Sequence, residues 1–501
     1  MVAYCASMPR PPITNSSTGP DPAAREATAL IAHGHALSRL GDWAQAAERY
    51  HAALDIAPDS AEAYFLLANA RAQMGDIAGA IDSLHDTLAF EPDHPGARTN
   101  LGHFLRATGR AEVALEEYRR ALYLTPREPS GRVNVANALA DLDRLDEAVV
   151  WYTQAAEAGH LPAFAALGTA HLQLGQPGPA LRWFRLARQG GDTSANVRFG
   201  EGLSLLTMGD LKSGWDGYEA RPVPTPFLGG RDTALRWNGS QKISGRTLLV
   251  WAEQGLGDSI MFARYLPLLR QRGARVILTV QAPLLPLMAD LADQVVPEGA
   301  TVTFDLHCPL PSLPRAFGTE LATIPARVPY LLTDIERLKR WHARLGKRPR
   351  IGLVWAGNPG HAGDRHRSLA RADIAPLLAI PGINWQVLQK DLTAEDEVAL
   401  SDLARVQTPG PGFTDFADTA ACIAALDLVV TVDTSIAHLA GALGKPCWVM
   451  LPHAADFRWL RDRTDSPWYP SLRLFRQPRP TDWPSVIATI ADALRGFVAE
   501  R

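Results

Sequence analysis

Three loops carry the side chains best suited to chemistry. They are residues 253–259 (EQGLGDS), residues 358–368 (NPGHAGDRHRS) and a stretch beginning at Val432 (VDTSIAHLAGA). Each loop follows a short apolar run that predicts a buried strand, and the first and third open helical patterns. In open parallel sheets, ligands bind outside the carboxyl ends of the strands. The three loops therefore predict a ligand site in a crevice that they share.

The loop at 253–259 has two glycines, Gly255 and Gly257, which allow a ligand to approach the backbone. The start of the following helix favours an anionic group. Asp258 falls at the N-cap or in the first turn, where a simple helix cap is its common role. The pattern lacks the full dinucleotide glycine fingerprint, which argues against a dehydrogenase.

The other two loops suit phosphate. Residues 358–368 are basic and contain glycine, so they predict either a phosphate clamp or an exposed polar loop. After Val432, free backbone N–H groups and the hydroxyls of Thr434 and Ser435 predict a seat for a diphosphate. Asp433 can bind a sugar or ribose hydroxyl. His438, one turn further on, either faces the ligand or packs within the helix.

Alternating strand and helix patterns predict the elements that position these loops. Strands are predicted at 246–251, 275–280, 350–355, 385–388, 428–432 and 447–451, and helical patterns at 259–270, 374–378, 419–426, 436–443 and 483–498. Such alternation predicts parallel sheets with right-handed crossovers. Two such series predict two Rossmann-like lobes with a cleft between them, and we expect the last helix to brace both lobes.

The first half of the chain has a period of 34 residues. Residues of one type recur at this spacing. Examples are the prolines Pro58, Pro92 and Pro126 and the glycines Gly41, Gly75 and Gly109, and small and large apolar residues recur in the same way. This is the length of one helix-turn-helix repeat. The same register continues less regularly further along the chain, and six units are predicted between residues 27 and 221. A turn-rich stretch beginning at Pro222 marks the boundary with the second half.

Composition excludes several classes of protein. The chain has 501 residues and a net charge of −3, which argues against a dedicated nucleic-acid binder. Its four cysteines, Cys5, Cys308, Cys422 and Cys447, form no disulfide scaffold and no zinc ribbon. No apolar run reaches the roughly 20 residues of a membrane span, and residues 1–20 are no secretory signal. We expect a cytoplasmic protein with a disordered tail over residues 1–26.

Two motifs point to a known family. EQGLGDSIMFARYLPLL, starting at Glu253, and VDTSIAHLAGALGKP, starting at Val432, resemble the signature loops of bacterial heptosyltransferase-type glycosyltransferases. With its repeats, which resemble tetratricopeptide (TPR) repeats, the chain resembles bacterial TPR glycosyltransferases and, in architecture, protein O-GlcNAc transferases. The resemblance implies an α + α/β fold, in which a TPR array precedes a GT-B-like pair of Rossmann-like lobes.

The resemblance also implies domain limits. The array covers 27–221, a linker 222–240, a short N-terminal lobe 241–345, and a nucleotide-sugar-binding lobe with its closing helix 346–501. The N-terminal lobe is short for a complete Rossmann lobe, so the repeats are expected to share in acceptor recognition.

Roles for single residues follow from the same resemblance. Asp258 matches the catalytic aspartate that deprotonates the acceptor hydroxyl. Arg367 falls near the family's phosphate-binding lysine, with Arg365 as the alternative. The remaining donor-binding residues implied are Asn358, Gln389, Lys390, Asp433, Thr434, Ser435 and His438, and the acceptor loop contains Glu253, Gln254, Gly255 and Gly257.

These roles imply an inverting, metal-independent transfer from a nucleotide sugar without a further cofactor. The second half has no D-x-D metal motif. The concave face of the repeats implies a protein acceptor, for which flagellin is a candidate by resemblance. A glycan or lipid-linked acceptor is one alternative, and an interaction scaffold with an inactive enzyme-like half is another. Arg458 is a further candidate donor contact, whereas Trp468 and Tyr469 are expected to pack between loop and lobe.

Overall fold

The computed structural model describes residues 22–223, 233–360 and 363–500. The chain divides into two compact units, one ending at Ala163 and the other beginning at Phe164. The tail expected over 1–26 lies outside the described residues up to residue 21, and residues 22–26 belong to a helix. The expected linker lies outside them from 224 to 232. The boundary expected at residue 222 falls inside the second unit.

Twelve helices lie in the described chain up to Tyr218, and the ten between the first and the last have 13 or 14 residues each. They are α1 (Pro22–Arg39), α2 (Trp43–Ile56), α3 (Ala61–Gln73), α4 (Ile77–Phe90), α5 (Pro95–Ala107), α6 (Ala111–Leu124), α7 (Pro129–Asp141), α8 (Leu145–Glu157), α9 (Leu161–Gln173), α10 (Pro177–Gln189), α11 (Ala195–Thr207) and α12 (Leu211–Tyr218). They form six helix pairs, as the period predicted. The pair α11–α12 lies wholly in the second unit.

A Gly-Asp dipeptide makes the turn within several of these pairs. Gly41, Gly75 and Gly209 have φ angles of 81°, 84° and 88°, in the left-handed region where glycine carries no Cβ penalty. The aspartate that follows caps the second helix; the Asp42 side chain accepts a hydrogen bond from the amide of Gln45 at 3.2 Å. The repeating glycine therefore marks the place where the chain reverses.

Two parallel sheets follow the repeats. The first sheet contains β1 (Thr247–Trp251), β2 (Arg275–Val280), β3 (Gln294–Pro297) and β4 (Leu306–Pro309), in the order β3-β2-β1-β4. The second sheet contains β5 (Arg350–Val354), β6 (Asn384–Val387), β7 (Val406–Gln407), β8 (Leu428–Val432), β9 (Cys447–Leu451) and β10 (Leu472–Arg476), in the order β10-β9-β8-β5-β6-β7. This arrangement confirms the predicted fold class.

Eleven further helices of the described chain accompany the sheets. They are α13 (Leu256–Phe262), α14 (Leu266–Gln271), α15 (Leu285–Met288), α16 (Leu313–Ala316), α17 (Ile335–Arg344), α18 (Asp364–Arg367), α19 (Arg371–Leu378), α20 (Ala394–Ser401), α21 (Phe416–Ala424), α22 (Ser435–Ala442) and α23 (Trp483–Ala499). None of the described helices is both long and apolar enough to span a bilayer.

The strand order of each sheet reverses at one place. In the first sheet, β1 pairs with both β2 and β4, so the order switches between β1 and β4. In the second sheet, β5 pairs with both β6 and β8, so the order switches between β5 and β8. Crevices for ligands open at such switch points, at the carboxyl ends of the strands. The loops after β1, β5 and β8 are those singled out from sequence.

One apolar core joins the last repeat to both sheets. Its buried members include Trp215 of α12, Phe262 of α13 and Leu439 of α22. A second core covers the other face of the second sheet and includes Ile490 of α23, which packs on α19 and β10. Burying side chains of this size in a shared core is the main force that assembles the second unit.

Candidate functional site

The loop after β1 is shaped by Asp258 itself. Asp258 lies in the first turn of α13, and its Oδ2 accepts a hydrogen bond from the backbone N–H of Gly255 at 3.1 Å. The helix-cap role expected of an aspartate here is therefore present. The other carboxylate oxygen, Oδ1, accepts a hydrogen bond from the guanidinium of Arg458. A carboxylate oxygen has two lone-pair sites, so both oxygens keep room for a further donor.

Arg458 belongs to a short turn after β9 and is 8% exposed. Its Nη1 donates to Oδ1 of Asp456 at 2.7 Å, while its guanidinium carbon lies 4.4 Å from the centre of the Phe457 ring. Burial alone would lower the pKa of Arg458, but the carboxylates of Asp258 and Asp456 outweigh it and hold that pKa well above its ordinary value. Arg458 is therefore a fixed positive charge between the loops after β1 and β9.

The turn after β8 forms as its sequence predicts. The apolar run of β8 ends at Val432, and the Thr434 hydroxyl accepts a hydrogen bond from the Ile436 amide at 3.3 Å, which caps α22. Asp433 and Ser435 are partly buried at the start of the helix. The N-terminus of α22 thus opens at the switch point of the second sheet, where its partial positive charge favours an anion.

Arg367 is bound to this turn. Its Nη1 donates to the backbone oxygen of Asp433 at 2.8 Å, and its Nε donates to Asp364 at 3.1 Å. Arg365 is exposed and donates to the neighbouring His366 ring at 3.2 Å. The loop after β5 therefore presents one guanidinium beside the start of α22.

The charges around Asp433 oppose one another. Burial raises the pKa of Asp433 to about 6, and the carboxylate of Asp456 acts in the same direction. The Trp459 side chain and the cations of Arg367 and Arg458 act against this rise. The turn therefore combines a carboxyl group that titrates close to neutral pH with two arginines that attract anions.

His438 lies at the contact between α13 and α22. It is 5% exposed, its ring stacks on Trp459 at 5.3 Å between centroids, and its Nδ1 lies 3.0 Å from the Tyr469 hydroxyl. Burial, aided by nearby arginines, holds the pKa of His438 well below its ordinary value, so the ring is neutral at pH 7. His438 is therefore buried among aromatic side chains and also lies where the two loops of the site meet.

Gly257 shows how closely the two loops approach. A Cβ atom at this position would lie 2.8 Å from Cδ2 of His438 and 3.5 Å from Cα of Ser435. Because real Cβ atoms essentially never approach so closely, only glycine fits there without a shift. The loop after β1 and the turn after β8, each at a switch point, meet at Gly257.

Three other sequence-predicted residues make hydrogen bonds with backbone groups. The amide oxygen of Gln389 accepts a hydrogen bond from the backbone N–H of Ala356 at 3.3 Å, which ties the ends of β6 and β5 together. Lys390 donates to the Phe413 carbonyl at 2.8 Å, and Asn358 is exposed and accepts from the Gly360 amide at 2.9 Å. Each of these side chains thus makes a hydrogen bond with a backbone group.

Glu253 and Gln254 face the last repeat. Glu253 is 3% exposed and forms a buried ion pair with Arg221, so its carboxylate points into the protein and not into a ligand crevice. The side-chain oxygen of Gln254 accepts a hydrogen bond from the Tyr218 hydroxyl at 3.1 Å. Glu253 is therefore a structural anchor of the predicted acceptor loop. Gly255, also in that loop, donates its backbone N–H to the Asp258 carboxylate.

Sequence reasoning overlooked Tyr218, Arg221, Asp364 and Asp456. Tyr218 occupies a position of the repeat register and Arg221 follows the last repeat helix. Neither position therefore indicates a contact with the loop after β1. Asp364 lies within the loop at 358–368 that was singled out, and Asp456 lies two residues before Arg458, which was a candidate donor contact. Trp468 and Tyr469 are 1% and 0% exposed and pack as expected.

Fold and site together define a class of protein. Helical repeats precede two parallel sheets, and the loops at the switch points of these sheets meet around a helix N-terminus flanked by arginines. The described chain is a TPR-type helical array followed by a parallel α/β region whose site loops resemble those of glycosyltransferases.

Comparisons with known proteins agree with this class. Tetratricopeptide repeat families match residues 37–99 and 99–198. Glycosyltransferase family 9 (heptosyltransferase) matches residues 402–449, which contain β8, the turn after it and α22. Protein FlbA of Caulobacter vibrioides is 30% identical over 338 residues, 61% of this chain and 56% of FlbA. The chain thus spans little more than half the length of that relative, and the resemblance to a TPR-containing glycosyltransferase is confirmed.

Several solved TPR structures are also similar. The crystal structure of MamA covers 33% of this chain and 92% of its own, at 20% identity and a TM-score of 0.32. PilF of Pseudomonas aeruginosa covers 39% and 90%, at 19% identity and a TM-score of 0.35. YrrB, described as a TPR protein with an unusual peptide-binding site, covers 34% and 89%, at 22% identity and a TM-score of 0.32.

Proposed function

We propose that this protein transfers a sugar from a nucleotide-sugar donor to an acceptor hydroxyl, with inversion and without a metal ion. The observation that carries the proposal is the meeting of two switch-point loops. Gly257, one residue before Asp258, lies against His438 and Ser435 at the start of α22. A carboxylate and an anion-attracting helix start in one place are the two parts that such a transfer needs.

The donor diphosphate is assigned to the start of α22. Backbone N–H groups there and the hydroxyls of Thr434 and Ser435 are donors suited to phosphate oxygens. Arg367 is held beside them by the Asp433 carbonyl and by Asp364, and these two hydrogen bonds leave other N–H groups of its guanidinium for a phosphate. As the sugar–phosphate bond breaks, its electron pair passes to the phosphate oxygen, and these donors stabilise the resulting charge.

The acceptor is assigned to the side of Asp258. The acceptor oxygen attacks the anomeric carbon from the face opposite the departing diphosphate, and its proton passes to the Asp258 carboxylate. The hydrogen bonds from Gly255 and Arg458 fix this carboxylate in one orientation. Orienting a base in this way places it correctly for the transition state.

A protein is proposed as the acceptor, presented by the repeats, with flagellin as a candidate. The support for this is architectural, because stacked helical repeats provide an extended surface for a polypeptide. The last repeat pair also shares an apolar core with the sheets, so a chain bound to this pair would lie in the same compact unit as the site.

Binding of nucleotides tests the donor side. UDP, GDP, ADP, CDP and CMP are each added to the full-length protein, and the shift in melting temperature is measured. We expect at least one nucleoside diphosphate to stabilise the protein by mass action, and the Arg367→Ala variant to respond less. A protein that none of these nucleotides stabilises would favour a scaffold with an inactive enzyme-like half.

Transfer tests the acceptor side. The sugar donor of the stabilising nucleotide is incubated with the protein and with flagellin or a lipid-linked glycan, and products are read by mass spectrometry. We expect sugar on the polypeptide, and loss of transfer in the Asp258→Asn variant with nucleotide binding retained. Transfer to the lipid-linked glycan alone would reject the protein acceptor but keep the transferase.

A further inference from the structure

The last aromatic residue of the repeat register differs from its equivalents. The same register holds Tyr50 and Tyr152 in earlier helix pairs, and their hydroxyls stay within the pair: Tyr50 lies 3.0 Å from the Ser38 hydroxyl, and Tyr152 donates to Asn137 at 2.6 Å. Tyr218, the last residue of α12, is 2% exposed, but its hydroxyl bonds outside the repeats.

The Tyr218 hydroxyl lies between two loops of the candidate site. It donates to the side-chain oxygen of Gln254 at 3.1 Å, and it accepts from Nη2 of Arg458 at 3.5 Å. A phenol has one proton and two lone-pair sites, so a single hydroxyl can make both bonds. The same Nη2 of Arg458 also donates to Asp258. One repeat residue therefore contacts the loop after β1 directly and, through Arg458, its carboxylate.

The aromatic ring of Tyr218 is fixed independently of the hydroxyl. Its centroid lies 5.7 Å from that of Trp215, 5.7 Å from that of Phe199 and 5.4 Å from that of Phe457. Phenylalanine at this position would keep these contacts and lose only the two hydrogen bonds. The hydroxyl can thus be tested without emptying the core.

A second anchor from the last repeat lies next to the first. Arg221 forms a buried ion pair with Glu253 and donates to the Ser312 hydroxyl at 2.9 Å and to the Tyr218 carbonyl at 3.2 Å. The loop that ends in Asp258 is therefore held at two successive residues, 253 and 254, by the end of the repeat array.

We propose that Tyr218 is a positioning residue for Asp258, so that the last TPR repeat is part of the transferase site. The inference rests on the proposed function, in which Asp258 accepts the proton of the acceptor. With the hydroxyl present, Gln254 and the Arg458 guanidinium are held in one arrangement, and with them the carboxylate. Without it, the guanidinium can turn relative to Asp258, and a misplaced base slows the chemical step more than it weakens donor binding.

The experiment compares three single variants of the full-length chain. Tyr218→Phe removes the bridging hydroxyl, and Tyr152→Phe removes a hydroxyl at the same repeat position whose hydrogen bond stays inside its own helix pair. Asp258→Asn removes the proposed base. Release of nucleoside diphosphate from the UDP-, GDP-, ADP- or CDP-sugar that the wild type uses gives kcat and KM. Hydrogen exchange of residues 252–260 and 456–460 gives the order of the two loops.

For Tyr218→Phe we expect kcat to fall about tenfold, with the donor KM within twofold of wild type and faster exchange in both segments. Tyr152→Phe should match the wild type in all of these. Unchanged kcat and exchange in Tyr218→Phe, beside an inactive Asp258→Asn, would overturn the positioning role alone. A wild type without turnover on any of the four donors would overturn the proposed function, and the positioning role with it.

Discussion

Arg458 donates a hydrogen bond to the carboxylate of Asp258, although the two residues are 200 positions apart and belong to loops of different sheets. Their side chains are only 10% and 21% exposed. Because each charge has lost most of its water, the pair and its neighbour Asp456 depend on one another. Removing one partner from such a pair leaves a poorly solvated charge, which costs far more than the loss of a surface ion pair.

Arg458→Met should therefore destabilise the protein. It keeps much of the apolar volume against Phe457 but leaves Asp258 and Asp456 without their shared cation, so we expect the free energy of unfolding to fall by about 3 kcal/mol. Denaturant unfolding followed by tryptophan fluorescence measures this. Arg463→Met, which removes a surface pair with Asp465, should cost less than about 1 kcal/mol. Equal losses in the two variants would show that Arg458 is not a buried link between the loops.

Arg367 and Arg365 can be separated by nucleotide binding. Arg367→Ala should weaken the binding of the preferred nucleoside diphosphate about 10- to 100-fold, because a hydrogen bond to a charged group contributes about 1.5–3 kcal/mol. Arg365→Ala should bind as the wild type does, since that side chain is exposed and Arg367, not Arg365, donates to the Asp433 carbonyl at the start of α22. Isothermal titration calorimetry gives both constants. The reverse order of affinities would move the phosphate site to Arg365.

The contact between α13 and α22 can be tested with two glycines of one loop. A Cβ at Gly257 would lie 2.8 Å from the His438 ring, whereas a Cβ at Gly255 would meet its nearest neighbour, Asp258 Oδ2, at 3.4 Å. Gly257→Ala should therefore force the two helices apart and cost roughly 1–3 kcal/mol of stability. It should also reduce turnover, because it separates the two loops of the site.

Gly255→Ala is the matched control for this prediction. It adds the same methyl group two residues earlier, where φ is −67° and the added atom makes ordinary contact. We expect little change in melting temperature or turnover. A Gly257→Ala variant as stable as Gly255→Ala would mean that α13 and α22 do not pack tightly against each other at this glycine.

The repeats and most strands follow from local sequence patterns. The predicted strands 275–280, 428–432 and 447–451 agree with β2, β8 and β9 to the residue. Four strands, β3, β4, β7 and β10, were missed. All four lie at the edges of their sheets, and β3 and β7 carry exposed polar residues in place of a buried apolar run. The helix predicted at 259–270 is broken into α13 and α14 by a short 3₁₀ turn before Pro267.

Long-range pairs in the site were beyond the reach of sequence patterns. Asp258, Asp433 and Arg367 stand out because strand ends and helix starts mark them locally. The partner of Glu253 does not, because Arg221 follows a repeat helix and no local pattern links it to a residue 32 positions further along the chain. Only the tertiary fold reveals such contacts. Glu253, which was predicted in the acceptor loop, anchors that loop to the end of the repeats through its pair with Arg221.

The pH dependence of stability should show the raised pKa of Asp433. Its folded-state pKa of about 6 exceeds the ordinary 3.8, so between those values the folded chain binds more protons than the unfolded chain. Stability contributed by this group is present in full below about pH 4 and is lost as the pH rises through 6. Asp433→Asn, which cannot titrate, should remove this part of the pH dependence.

Unfolding free energies of wild type and Asp433→Asn should therefore diverge with pH. Relative to its value at pH 4, the difference should favour the variant by up to about 3 kcal/mol at pH 7, from two pKa units at 1.36 kcal/mol each. Asp465 is the matched control, because the cation of Arg463 lowers the pKa of that exposed carboxyl. Asp465→Asn should change the pH dependence in the opposite direction. A constant difference between wild type and Asp433→Asn from pH 4 to 7 would show that the carboxyl beside the donor seat ionises normally.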